Sequence, residues 1–193
     1  MYLGKYCVVG KYSIKRGYTV KSGMEQLSKK QIKKFFKKQK RDKEVVLILE
    51  NIQYARNVAG IFRTADAAGV SKIFLTGISK TPPFGKELSK ASRSKEKSVQ
   101  WEYEDNTAKT LQKLKKEGFF LIAVELTNEA EEAARLSYLV SDKDKIAFVL
   151  GSEVYGVTNS TLSLCNTSVF LPMYGKGASL NVATTAGIIL YSF

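Results

Sequence analysis

The sequence predicts an α/β fold: a mostly parallel sheet with helices on both faces. Three observations predict it. Short apolar runs rich in Val, Ile, Leu and Phe recur at 45–49, 72–76, 119–124, 146–150 and 168–171. Helical patterns separate most of them, which is the alternation that a parallel sheet requires. The runs are also largely continuous, as strands covered on both faces are.

Taken in order, residues 2–20 alternate and carry Tyr2, Tyr6, Tyr12 and Tyr18 among lysines, a pattern for a short hairpin or an ordered arm. From 24 to 40 the pattern becomes helical, with Leu27, Ile32, Phe35 and Phe36 as a narrow apolar stripe. Residues 45–49 read as a buried strand. Asn57 is placed to cap a helix that runs to Ala68, where Gly69 stops it. Residues 72–76 form a second strand. The stretch 77–97 is rich in Pro, Gly, Ser and Lys and reads as a loop region, with a short helix around 87–95. A helix over 107–116 precedes the strand at 119–124, and 129–136 reads as an acidic helix or loop. Two further strands follow, and the last helix spans roughly 180–192.

The chain has 193 residues, of which 44% are hydrophobic and 11% aromatic, enough for one domain with a real core plus an appendage. No run of eighteen apolar residues occurs, and residues 1–10 lack the order of a secretory signal, so the expectation is a soluble, cytoplasmic protein. Cys7 and Cys165 are isolated, and histidine is absent. That argues against a zinc site, a Ser-His triad and histidine acid–base chemistry, so no metal is expected. The net charge is +13, and it is concentrated. Residues 1–43 hold 14 Lys/Arg against Glu25 and Asp42, whereas the remaining residues hold 17 basic and 16 acidic side chains. The division expected is a basic extension, 1–43, and a body, 44–193. Such an extension attracts a polyanion through phosphate contacts; a solvated lysine-rich tail is the plainer reading. An anionic membrane fits less well, since no strong apolar anchor accompanies the charge.

Three clusters carry the candidate chemistry. The first follows Glu50-Asn51 and runs from Asn57 to Ala65. On a helix advancing about 100° per residue, Val58, Ile61, Phe62, Ala65 and Ala68 share one arc. Asn57, Gly60, Arg63 and Thr64 fall on the other side, which reads as a presented face or as the outside of an ordinary amphipathic helix. The second cluster is the strand 146–150 entering Gly151-Ser152-Glu153. Ligands of parallel α/β sheets bind outside the carboxyl ends of strands, which is where this puts Glu153; Gly151 would let a ligand approach the backbone. The same turn could be purely structural. The third cluster, 169–183, carries a Pro172-Met173 bend and a glycine-rich loop to Ser179 and Asn181 at the start of the last helix. Ser179 by itself reads as the N-cap, and a helix start after such a loop also suits an anion.

In this order the three clusters resemble the three motifs of the SpoU (TrmH) RNA ribose methyltransferases of the SPOUT superfamily, over about 45–193. The stretch 82–91, Pro-Pro-Phe-Gly-Lys-Glu-Leu-Ser-Lys-Ala, leading to Trp101, is also similar to that family. The resemblance implies a deep C-terminal trefoil knot, a homodimer, and S-adenosylmethionine as cofactor, with S-adenosylhomocysteine as product. It implies cofactor contacts at Thr127, Gly151, Leu171, Met173, Ser179 and Leu180. It implies a catalytic set of Asn57, Arg63, Glu153, Ser179 and Asn181, in which Arg63 activates the ribose 2′-hydroxyl as base or as electrostatic stabiliser. The substrate implied is RNA, with transfer RNA ahead of ribosomal RNA. Many members carry a separate N-terminal RNA-binding domain; here the basic extension is expected to stand in for it. The competing reading is a non-catalytic RNA-binding protein that has kept the fold. A nicotinamide-dependent enzyme is disfavoured, because residues 50–60 lack Gly-x-Gly-x-x-Gly after the first strand.

Overall fold

The computed structural model describes residues 26–37, 39 and 41–193, and the chain divides into two compact units between Arg41 and Asp42. The segment 2–20, expected as a hairpin or arm, lies outside the described residues. In the first unit, helix α1 spans Lys29–Phe36. It is shorter than the pattern over 24–40 suggested because Ser28 starts it with a capping box: Ser28 Oγ accepts from the Gln31 N–H, and Gln31 Oε1 accepts from the Ser28 N–H at 2.9 Å.

The second unit is built on one seven-stranded sheet. Its strands are β1 (Glu44–Glu50), β2 (Lys72–Thr76), β3 (Gln100–Glu104), β4 (Phe120–Val124), β5 (Glu131–Glu132), β6 (Lys145–Leu150) and β7 (Thr167–Phe170). They lie in the order β3-β2-β1-β6-β4-β7-β5, and every pairing is parallel. Helices α2 (Ala55–Ala68), α3 (Gly85–Ser92), α4 (Thr107–Lys116), α5 (Leu136–Leu139), α6 (Asn159–Leu162) and α7 (Val182–Tyr191) connect or follow them. β1 shows how the sheet is covered. Val45, Leu47 and Leu49 enter a core with Val58, Ile61, Phe62 and Ala65 of α2 and with Ile189 and Leu190 of α7. Val46 and Ile48 enter a second core with Leu111 and Leu114 of α4. Alternate residues of a strand face opposite sides, so both faces need an apolar cover, and the near-continuous apolar run follows from that.

Several elements differ from expectation for identifiable reasons. β3 was not legible because it is an edge strand of sequence Gln-Trp-Glu-Tyr-Glu, whose charges blunt the edge. The stretch 129–136 is neither one helix nor a plain loop: a two-residue edge strand pairs with β7, and a 3₁₀ turn leads into α5. The short helix after the Pro-Pro pair begins earlier, at Gly85, and a 3₁₀ turn at Lys95–Lys97 follows it. Asn57 is not the cap of α2. Tyr54 occupies that position without a side-chain bond, and Asn57 lies inside the first turn with its amide engaged elsewhere. Asn181, not Ser179, caps α7: its Oδ1 accepts from the Ala183 and Thr184 N–H groups.

Candidate active site

β6 lies between β1 and β4, and β7 lies beyond β4, so the strand order departs from the chain order here, and the site lies at the carboxyl ends of these strands. A cavity of about 1040 Å³ opens there. Its floor is formed by the last residues of three strands, Val124, Leu150 and Phe170, with Val169 and Leu171. Its sides are the loop after β6 and the loop that leads into α7. Among the described residues, Glu125 and Glu153 are the only charged ones that line it, with no lysine or arginine.

The loop after β6 is pinned at both ends. Ser152 and Gly156 exchange backbone hydrogen bonds of 3.1 and 2.9 Å, and Ser152 Oγ accepts from the Tyr155 N–H at 2.9 Å. A Cβ at Gly151 would collide with the Gly156–Val157 peptide. The glycine is therefore required by the chain folding back on itself. Further along, the buried Glu50 carboxylate at the end of β1 accepts from the Thr158 N–H at 2.9 Å and from the hydroxyls of Thr158 and Thr161 at 3.0 and 2.5 Å. The role of Glu50, unassigned from sequence, is to anchor this loop.

Across the cavity, two amides and a carboxylate form a hydrogen-bonded series. The Asn181 carbonyl is committed to the first turn of α7, so its NH₂ group points the other way and donates to Asn57 Oδ1 at 2.9 Å. That in turn commits the Asn57 NH₂ group to Glu153 Oε1, at 2.5 Å. The orientation of both amides is thus dictated by the helix N-terminus, and the series can end only on an acceptor, which an ionised carboxylate is.

Of the residues expected at the site, Asn57, Gly151, Glu153, Leu171, Met173, Ser179, Leu180 and Asn181 all line this cavity. Two do not. Thr127 sits in a separate polar hollow of about 470 Å³, its hydroxyl bonded to Ser168 Oγ at 2.7 Å. The residues of that segment which line the cavity are Val124, at the end of β4, and the two that follow it, Glu125 and Leu126; the same strand-end rule that pointed to Glu153 would have found them. Arg63 is exposed and lines no part of the cavity. The face of α2 expected to be open is partly covered: a Cβ at Gly60 would stand 3.2 Å from Ala183 Cβ, and Gly187 lies against Thr64. Small residues let α7 lie close on α2, and Arg63, about 60° further round the helix than Gly60, emerges beside that contact. In the second hollow, burial, reinforced by the Glu50 charge and partly offset by Lys115, pushes the Cys165 thiol up to about 12. Among the described residues no cluster of His, Cys, Asp and Glu is arranged to hold a metal ion, and no helix is long and apolar enough to cross a membrane.

In open parallel α/β sheets ligands bind outside the carboxyl ends of the strands where the strand order switches, which is where this cavity lies. The chain belongs to the SpoU rRNA Methylase family, whose model matches residues 44–191. It is 29% identical over 156 residues to the tRNA (guanosine(18)-2'-O)-methyltransferase of Aquifex aeolicus, covering 79% of this chain and 70% of that one. It is 30% identical over 146 residues to the 23S rRNA (guanosine-2'-O-)-methyltransferase RlmB of Neisseria meningitidis, covering 76% and 56%. Among solved structures, the AdoMet-bound rRNA methyltransferase of Sinorhizobium meliloti superposes with a TM-score of 0.70 at 25% identity, over 79% of this chain and 56% of that one. The matched region thus spans between 56% and 70% of these relatives' own lengths.

Proposed function

We propose that the protein transfers a methyl group from S-adenosylmethionine to a ribose 2′-hydroxyl of tRNA or rRNA. The observation that carries this reading is the Asn181–Asn57–Glu153 series, set in a cavity whose charged lining, among the described residues, is carboxylate alone. The cavity suits the cofactor, whose sulfonium makes it a net cation, and its Val, Leu and Met walls suit the adenosyl portion. Leu171, Met173 and Leu180 would hold it, with backbone groups around Gly151. S-adenosylmethionine supplies an electrophilic methyl group to an attacking oxygen.

The chain's own residues must position that oxygen and deal with its proton. Asn181 and Asn57 present fixed polar groups, and Glu153 has lone pairs left after Asn57 to orient a guanidinium or a hydroxyl. Ser179 lies on the same loop beside them. Arg63 completes the set, as base or as stabiliser of the developing oxyanion, although a guanidinium gives up a proton only in an unusual setting. Because Arg63 leaves α2 away from its own cavity, it serves the cavity of a second copy in a homodimer. The exposed Ile188 and Tyr191 on the otherwise apolar α7, beside Arg63's helix, support such an interface. The reading includes a trefoil knot in the segment after β6, in keeping with β6 entering between β1 and β4 and with α7 returning onto α2. The basic residues of 1–43 contact RNA phosphates, and the protein works in the cytoplasm without a metal.

The test is incubation with tritiated S-adenosylmethionine and total RNA, followed by separation of transfer and ribosomal RNA and nucleoside analysis. Label on a 2′-O-methyl nucleoside is expected. Absence of label from every fraction, with S-adenosylhomocysteine still bound, would favour the non-catalytic RNA-binding protein.

A further inference from the structure

Glu125 is the first residue to leave the sheet after β4, and its place is set from both sides. The register puts Val124 between Leu150 of β6 and Val169 of β7, and the Glu125 N–H donates to the Val169 carbonyl at 2.9 Å. The side chain lines the cavity. Both carboxylate oxygens are already held by backbone donors: Oε1 accepts from the Leu126 N–H at 3.0 Å, and Oε2 accepts from the Val157 N–H at 3.1 Å. Gly156, at a φ of 65°, passes so close to Oε2 that a Cβ there would collide with it. The carboxylate is therefore oriented before any ligand arrives.

An ionised carboxylate has about four acceptor positions, and these two bonds leave one on each oxygen. Val124, Leu150, Val169 and Leu171 supply apolar lining to the same cavity, while its other carboxylate among the described residues is engaged by Asn57. What fits two adjacent, fixed acceptors is a group with two adjacent donors. In a nucleoside that group is the 2′,3′-diol of the ribose.

Resting on the reading of the cavity as an S-adenosylmethionine site, we infer that Glu125 binds the ribose diol of the cofactor and so sets where its adenosyl half lies. Nothing in the three motifs points to this residue. A carboxylate aimed at a diol also rejects cofactor analogues that lack the hydroxyls, because it would be left facing carbon.

The probes are S-adenosylhomocysteine, 5′-methylthioadenosine, which lacks the amino-acid part, and 2′,3′-dideoxy-5′-methylthioadenosine, titrated calorimetrically into the full chain and into Glu125→Gln. The variant is expected to bind the first two more weakly by a common factor of about tenfold or more, and the dideoxy compound as the parent does. The parent alone is expected to bind the dideoxy compound at least about tenfold more weakly than 5′-methylthioadenosine, which needs no variant to fold. Equal affinity of the parent for those two overturns the inference. So does an equal loss for all three compounds, which would make Glu125 a loop support only, and so does a loss confined to S-adenosylhomocysteine, which would assign Glu125 to the ammonium group. Failure of the parent to bind S-adenosylhomocysteine at all would instead remove the cofactor reading on which the inference stands.

Discussion

Replacing Glu50 by Gln tests how the loop after β6 is held. Glu50 is 2% exposed, and its carboxylate takes three hydrogen bonds, one from a backbone N–H and two from hydroxyls. Charge-assisted bonds contribute about 1.5–3 kcal/mol each and neutral ones about 0.5–1.5 kcal/mol, so neutralising the acceptor of three costs about 3 kcal/mol. The neutral amide is less costly to bury, which offsets part of that loss and leaves about 2 kcal/mol. The Gln oxygen is expected to face the Thr158 N–H, because that donor cannot turn, while the two threonine hydroxyls rotate to accept from the new NH₂ group. Glu50→Ala offers no partner at all, strands three donors, and is expected to cost about 4 kcal/mol. For a unit of this size each kcal/mol lowers the melting temperature by roughly 2–4 °C, so the Gln variant should melt about 4–8 °C below the parent. Urea unfolding at pH 7 measures both variants, and an unchanged m-value confirms that stability alone has moved. A Gln variant within about 0.5 kcal/mol of the parent, or an Ala variant no worse than Gln, would show that Glu50 does not anchor the loop.

Asn57→Asp ends the amide series on the wrong charge, placing a second carboxylate against Glu153 Oε1. The variant should lose about 1 kcal/mol at pH 7, the pair being partly exposed. A variant as stable as the parent in urea unfolding counts against the contact. Arg63→Ala should abolish methyl transfer while leaving S-adenosylhomocysteine affinity within about twofold; equal activity of variant and parent in the tritium assay refutes the role given to Arg63. Cys165, with its thiol pushed up to about 12, should resist iodoacetamide at pH 8 in a Cys7→Ser background. Since the unfolded thiol ionises near 9.0, its contribution holds below pH 9 and is lost as the pH rises from there towards 12; a Cys165→Ser variant with the same alkaline slope as the parent counts against this. Changing Lys29, Lys30, Lys33 and Lys34 of α1 to Gln should weaken RNA binding and flatten its dependence on salt; an unchanged slope makes the helix a bystander.

The parallel sheet was legible because five of its seven strands are apolar runs that must be buried on both faces. The two that were missed, β3 and β5, are edge strands rich in glutamate, where pairing with a single neighbour leaves no apolar run to read. Most of the candidate site was legible through its motifs, since Asn57, Glu153, Ser179 and Asn181 come together at one cavity. Local spacing could not say what each does there. Asn57 at a helix start looks like a cap, and only the tertiary bonds to Glu153 and Asn181 remove it from that role. Gly60 and Thr64 look solvent-facing on a helical wheel, and α7, more than 120 residues further on, covers them. Glu50 and Glu125 left no signal, because the partners that fix them include backbone and hydroxyl groups 32 to 111 residues away in sequence.

The amide series draws on α2, the loop after β6, and the first turn of α7, segments that are made at the beginning, late and last in the body of the chain. Since Asn181 takes its orientation from the N–H groups of α7 and passes it on to Asn57 and Glu153, none of these polar groups has a defined direction until α7 has formed and docked on α2. A newly synthesised body can therefore collapse around its central strands and still be blind to its ligand. Affinity for S-adenosylhomocysteine, followed during refolding, would then time the docking of α7 rather than the formation of the sheet.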